Sequence, residues 1–314
     1  MTRFGSSAWQ GLAAIAVLLL AGLAAPRWLL SLGTLAAASG LVSLGVVLMM
    51  RGGVVSFGQG LVFGAGGYAA ALLANEAGVS DALLLLLAGG VAAVVVAAPF
   101  APLLGRYRGI FFAMLTLALS MVLYGLLVKW DALGGSDGFT MRRPTLLGRP
   151  LPEGWWAYIL YAVAVVLAGS LAIAVRAYFD SVRGLVSLAM RDNELRVEYL
   201  GASVQRMVAW NFVAAAFLGG TGGALAIMAL GHIEPNFSYW TTSGEFVFVA
   251  ILAGSQSVAA VFAASFLLEL VRSFSSSYFP NTWQLALGVF LLIVIRFLPG
   301  GLGSLLRGRS KGRS

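Results

Sequence analysis

Of the 314 residues, 60% are apolar and 10% charged, with 20 Lys and Arg against 12 Asp and Glu, no cysteine, and a single histidine, His232. Soluble domains average about 45–50% apolar residues, glycine included, and about 25% charged ones, so a mean hydropathy of +0.92 excludes a soluble globular enzyme and a disordered chain alike. The missing cysteines and the lone His232 exclude a disulfide framework, thiolate chemistry and a multi-histidine metal site.

Nine stretches of at least 20 residues contain no Asp, Glu, Lys or Arg: 4–26, 28–50, 52–75, 82–105, 109–128, 154–175, 207–233, 246–268 and 273–295. Each can cross about 30 Å of hydrocarbon as a helix. The stretches lack the apolar/polar alternation of a membrane barrel strand. The fold class is therefore all-α, a polytopic transmembrane helical bundle.

The first stretch follows Arg3 and ends at Ala24-Ala25, features shared with a signal peptide. Read as a retained helix, it fits the topology derived below. The third holds Gly52–Tyr68, with seven glycines in 17 residues and a G-x-x-x-G at Gly60 and Gly64. Two compatible readings follow. Small residues let helices pack closely, or the helix is interrupted and its backbone lines a substrate path. Ser56 and Gln59 are its strong hydrogen-bonding side chains.

Loop 131–153 carries the turn cluster Gly134-Gly135-Ser136-Asp137-Gly138. It is either a connector or a docking surface for an extracytoplasmic partner. Loop 176–206 holds Arg176, Arg183, Arg191, Arg196 and Arg206. Within it, 189–201 predicts one short amphipathic helix stopped by Gly201. Leu188, Leu195 and Tyr199 form its apolar side, and Arg191, Asp192, Glu194 and Arg196 its polar side. Such mixed charge suits a protein partner better than a lipid surface. The run Gly219-Gly220-Thr221-Gly222-Gly223 predicts close helix packing.

Segment 240–276 is broken at Gly254-Ser255-Gln256-Ser257. Its first part, 241–254, reaches only about 21 Å as a helix. It predicts a short or broken helix, then spans at 257–276 and 282–299. Lys and Arg favour cytoplasmic loops, which places loop 176–206 and the tail 307–314 inside. The result is about ten passes, interrupted helices included, with both termini cytoplasmic and one transmembrane domain over 1–306. On this topology 14 of the 20 basic residues lie inside, and 8 of the 12 acidic ones lie outside or near the outer face. The net charge of +8 is then topology and headgroup contact. Dispersed arginines argue against nucleic-acid binding.

Lysine occurs only at positions 129 and 311, neither in a phosphate-cradling G-x-x-x-x-G-K-[ST] loop. No His-Glu-x-x-His occurs, so neither a catalytic set nor a metal site is expected. Glu245, Glu269, Arg272 and Arg296 are expected near span ends, with Glu269 and Arg272 spaced to pair on one helix. An ion-coupled secondary transporter would need an intramembrane acid, for which Glu245 is the plausible residue. A membrane-embedded enzyme would need convergent titratable groups, and the sequence offers none.

The chain resembles the LivM-type permease subunits of the branched-chain amino-acid class of ABC importers, over roughly Gly45 to Gly303. The resemblance rests on Val55-Ser56-Phe57-Gly58-Gln59-Gly60 with Phe63-Gly64 and Tyr68, on Arg108–Ala113 with Thr116, and on Gly134–Gly138. It continues through Met190–Gly201, Ile233 with Pro235, Glu245, and Phe297-Leu298-Pro299-Gly300-Gly301-Leu302. The sequence departs from the family pattern at Gln59, at Ser255-Gln256-Ser257 and at Leu298.

The resemblance implies a pathway subunit of the bacterial inner membrane that binds no cofactor itself. A second, homologous permease would complete a heterodimer in the bilayer, two cytoplasmic ATPases would hold ATP and Mg, and a periplasmic solute-binding protein would deliver the solute. ATPase coupling would fall to Arg191, Asp192, Asn193, Glu194, Glu198 and Gly201, the substrate path to Ser56, Phe57, Gly58, Gln59, Gly60 and Glu245, and binding-protein docking to Gly135, Ser136 and Asp137. The implied solutes are branched-chain or other hydrophobic amino acids, with urea, short amides and aromatic carboxylates as alternatives.

Overall fold

The computed structural model describes residues 2–149, 152, 154–255, 257–278, 282–297 and 300–304. The basic tail 307–314, Gln256 and Leu298-Pro299 lie outside them. Thirteen α-helices are formed by the described residues. They are α1 (Thr2–Ala24), α2 (Arg27–Arg51), α3 (Gln59–Asn75), α4 (Ala82–Ala97), α5 (Ala101–Leu104), α6 (Gly109–Lys129) and α7 (Trp156–Asp180). Then follow α8 (Val182–Asp192), α9 (Glu194–Tyr199), α10 (Val204–Leu230), α11 (Trp240–Ala253), α12 (Val258–Tyr278) and α13 (Trp283–Phe297). Among the described residues, six helical stretches are long and apolar enough to cross a membrane: Arg27–Arg51, Ala82–Leu104, Gly109–Lys129, Trp156–Asp180, Val204–Leu230 and Val258–Tyr278.

The bundle has two ends, and contacts between loops define them. At one end Arg51 lies over the Phe179 ring at 4.4 Å, Arg108 meets Glu194, Arg191 meets Ser255, and Gln205 donates to the Pro102 carbonyl. At the other end two short strands, β1 (Phe139–Thr140) and β2 (His232–Ile233), pair antiparallel, while Asn75 donates to the Thr140 carbonyl and Thr145 to that of Ser80. The long helices run alternately between these ends.

α2 and α10 form the centre and are mostly buried, whereas most positions of α4, α6 and α7 are half-buried or exposed. In a bilayer the lipid is as apolar as leucine, so helices associate through close packing and small residues. The glycines supply that closeness. A methyl group on Gly66 would collide with the Gly220 backbone, one on Gly223 with the Phe63 carbonyl, and one on Gly45 would lie 3.0 Å from the Ala215 carbonyl oxygen. The packing expected of Gly219–Gly223 is what joins α10 to α2, α3 and α4.

Side-chain caps fix several helix starts. Asp81 accepts from Leu83 and Leu84, and Ser181, Asn193 and Ser203 cap α8, α9 and α10. α11 ends at Gly254, whose φ of +78° and ψ of 156° only glycine adopts readily. The break expected at 254–257 is present, with α11 at 14 residues and α12 at 21.

Candidate functional site

Two helices begin inside the bundle rather than at its ends. Gly52 lies against Asn211, whereas Gln59, the first residue of α3, lies against Gly219 on the same helix, α10. Those eight positions correspond to about 12 Å of rise. Residues 54–58 cover the interval without regular structure, so the interrupted helix expected at 52–68 is found, broken ahead of Gln59. From the opposite end, the chain after β2 runs inward through the turn Pro235–Ser238 and starts α11 at Trp240.

The two breaks meet. The Gly60 N–H donates to Ser243 Oγ on α11 at 2.8 Å, the Phe57 N–H to Thr116 Oγ1 on α6 at 3.1 Å, and the Gly58 N–H to Ser56 Oγ at 3.2 Å. Ser120 on α6 donates to the Ser238 carbonyl at 2.8 Å. Away from water, an unpaired backbone N–H costs several kcal/mol, so hydroxyls from α6, from α11 and from the segment itself replace the missing helical bonds. Ser56 and Gln59 are fully buried here, together with Ser120, Ser238 and Ser243. These residues shape the break and are closed off from the surface.

The face of α11 and α12 carries charge. Arg272 Nη1 bonds Glu245 Oε2 at 3.1 Å, and Glu269 Oε1 accepts from Ser39 Oγ at 2.8 Å. Ser39 is the thirteenth of the 25 residues of α2, its midpoint. Glu269 lies one turn before Arg272 on α12, and Arg272 bonds Glu245, so the three groups are neighbours. This corrects the expectation that Glu245 and Glu269 sit near span ends. Counting uncharged stretches takes each helix to start at a membrane face, but α11 starts at depth, which places its sixth residue, Glu245, deep as well. Arg272, spaced to pair with Glu269 on its own helix, reaches across to α11. The ion pair is partly open, with side-chain exposures of 43% for Arg272 and 23% for Glu245.

At the arginine-rich end, the predicted single helix over 189–201 is two helices. Asn193, extended at φ −161° and ψ 104°, ends α8, and its side chain caps α9 by accepting from the Arg196 N–H. The competing side-chain bond of an Asx residue accounts for the break. Glu194 Oε1 takes Arg108 Nε at 2.8 Å at the start of α6, and Arg191 reaches Ser255 Oγ at 3.1 Å between α11 and α12. The Arg191 backbone also packs on Gly53, ahead of the broken segment. Asp192 and Glu198 are exposed, and Gly201 adopts φ +86° with nothing within 4 Å of where a methyl group would stand. Met190 and Val197 anchor the loop in the core, while Leu195, Tyr199 and Leu200 are 65%, 89% and 82% exposed. The apolar side expected of this loop therefore points away from the chain itself.

At the opposite end, Gly134, Gly135 and Gly138 all take positive φ, and Ser136 Oγ bonds Asp137 Oδ1 at 3.0 Å. Gly138 lies directly on the Ile233 backbone. Ser136 and Asp137 are exposed, and Gly135 is buried beneath them. The loop is thereby pinned to the segment that runs inward to α11. Sequence reasoning missed Thr116, Ser120, Ser238 and Ser243, because an isolated hydroxyl in an apolar helix signals nothing until its partner is known. It missed the Glu245–Glu269–Arg272 grouping for the same reason. Among the described residues, no group of three or more His, Cys, Asp or Glu could hold a metal ion.

The family model described as "Branched-chain amino acid transport system / permease component" matches residues 28–296. The chain is 27% identical to the high-affinity branched-chain amino acid transport system permease protein LivM of Escherichia coli K12, over 98% of this chain and 78% of that protein. It is also 27% identical to the protein of the same name from Salmonella typhimurium LT2, over 85% of this chain and 68% of the relative. No solved structure matches the chain.

Proposed function

The chain belongs to the branched-chain amino acid transport permease family, and on that premise we propose that it forms one half of the membrane pathway of an ATP-driven importer for branched-chain amino acids. The observation that carries this reading is the Glu245–Arg272 ion pair, partly open and deep among apolar helices. Charged groups at such depth face a water-filled cavity or the bundle interior, because hydrocarbon does not tolerate them. The face of α11 and α12 is therefore the pathway-lining face, and the broken starts of α3 and α11 give the backbone around it room to rearrange.

In this reading the chain makes ten passes through the bacterial inner membrane, with α1, α3, α11 and α13 adding four crossings or part-crossings to the six long spans. A second, homologous permease closes the path. Two ATPases carrying ATP and Mg dock on loop 176–206, and a periplasmic solute-binding protein docks near Gly135, Ser136 and Asp137. Coupling requires that ATP favour one arrangement of the pathway over the other. Support comes from where the loop touches the chain: Glu194 reaches the start of α6, Arg191 reaches the α11–α12 turn, and its backbone packs on the segment leading to α3. One rigid-body movement of α8 and α9 would reach both breaks.

The test is purification from native membranes in mild detergent, followed by reconstitution. Co-purification of a second permease and two P-loop ATPases, with leucine uptake that requires ATP and withstands competition by urea, short amides and aromatic carboxylates, is the expected result. A homo-oligomer without ATPase, whose uptake collapses with a proton ionophore, would replace it with an ion-coupled transporter.

A further inference from the structure

We propose that the Glu245–Arg272 pair is a substrate subsite that opens to take the two charged ends of a zwitterionic α-amino acid, the ammonium against Glu245 and the carboxylate against Arg272. This rests on the importer reading above and adds to it the recognition chemistry within the membrane.

Three observations carry it. The pair combines opposite charges at 3.1 Å on two different helices, so a small relative movement of α11 and α12 separates it. Both side chains are partly open, whereas the serine cluster at the helix breaks is sealed. The third charge of the cluster, Glu269, is tied to Ser39 on α2 and stays in place when the pair parts. Phe248, one helical turn from Glu245 on the same face and exposed, supplies an apolar wall for a branched side chain.

The exchange is electrostatically even. The ion pair within the protein is replaced by two ion pairs with the ligand, so no charge is left bare in a low-dielectric site. A ligand lacking one end forms only one of the two new ion pairs. Losing one charge-assisted hydrogen bond to a partly open pair weakens binding by about 10-fold. An amide or a simple carboxylic acid should therefore be rejected by about that factor, and an aliphatic amino acid accepted.

The experiment uses the full purified complex in lipid nanodiscs. Ligand-induced thermal stabilisation is titrated with leucine, with leucinamide, which lacks the carboxylate, and with 4-methylpentanoate, which lacks the ammonium. The wild type is expected to bind leucine about 10-fold more tightly than either analogue. Arg272→Gln should bring leucine down to the level of leucinamide, and Glu245→Gln down to the level of 4-methylpentanoate. Arg272→Lys should recover part of the carboxylate preference, and ligand-free melting temperatures show which variants are folded. Wild-type-like leucine binding in both glutamine variants overturns the proposal. So does equal loss of all three ligands in a folded variant, which would mark the pair as a helix clamp. Wild-type binding without preference among the three, or no binding, overturns it too. ATP-dependent leucine uptake by the wild-type complex is measured in parallel. Its absence would remove the importer reading, while the binding pattern still judges the pair separately.

Discussion

Glycine plays two roles in this chain, and substitution separates them. At Gly66 the Gly220 backbone fills the space a methyl group would need, and at Gly125 nothing lies within 4 Å. Gly66→Ala should destabilise the solubilised chain by about 1–3 kcal/mol through overpacking. Gly125→Ala should be neutral or stabilising by up to about 1 kcal/mol through helix propensity. Paired thermal melts read the difference, and equal melting temperatures would overturn the packing assignment. Gly201 tests a backbone role: its φ is +86°, and its surroundings are empty. Gly201→Leu should cost the chain only about 1–2 kcal/mol of left-handed strain, with Gly201→Asn costing less. If α9 seats in an ATPase, the leucine variant of the complex should hydrolyse ATP without uptake, although its own fold is nearly intact. Unchanged uptake would remove Gly201 from the coupling surface. The importance of Gly66 and Gly220 was legible in the sequence as clustering, and that of Gly201 as a helix stop. Which of them touches backbone was not, because that depends on which helices become neighbours.

The broken helices depend on borrowed acceptors. Thr116 Oγ1 takes the Phe57 N–H at 3.1 Å and is itself buried. Thr116→Val keeps the shape and removes the acceptor, leaving a buried N–H unpaired at a cost of about 1–3 kcal/mol. Thr116→Ser should restore most of that stability, and chemical or thermal unfolding of the three forms measures it. Similar melting of valine and threonine forms would mean that the segment finds another partner. The link between Arg108 and Glu194 is of a different kind, since side chains 26% and 41% exposed contribute only about 0.2–1 kcal/mol as an ion pair. Arg108→Glu should barely change the melt, yet reduce ATP-dependent uptake, and Arg108→Glu with Glu194→Arg should recover it. Failure of the double variant to recover would show that the bridge transmits nothing. Composition offered an interrupted helix as one of two readings of 52–68 and placed a break at 254–257. It could not disclose how deep the helical parts begin, because the length of an apolar stretch says nothing of where its helix starts. The misplacement of Glu245 came from that step.

Across the whole molecule, the arginines decide between two mirror-image orientations. The end formed by Arg51, Arg106, Arg108 and the loop 176–206 is the more basic, and short basic loops stay cytoplasmic. The alternation of long helices between two ends was legible from the uncharged stretches alone, since each charged loop must return to one face or the other. The missing partner for Leu195, Tyr199 and Leu200 was not, because exposure is defined only once the chain has folded. The absence of cysteine makes orientation directly measurable, as any introduced thiol is the only one present. Ser136 and Glu198 are both exposed and lie at opposite ends of the bundle. Ser136→Cys should react with a membrane-impermeant maleimide on intact cells or right-side-out vesicles, and Glu198→Cys only after the membrane is opened. The reverse pattern would invert the topology and place the basic loop beyond the reach of a cytoplasmic ATPase. Labelling of both from one side would contradict the odd number of crossings, α7 included, that separates them. With the expected pattern, α8 and α9 lie where ATP is available, and the face of α11 and α12 lies between that loop and the glycine-turn loop, which is the order in which a solute entering from outside must meet them.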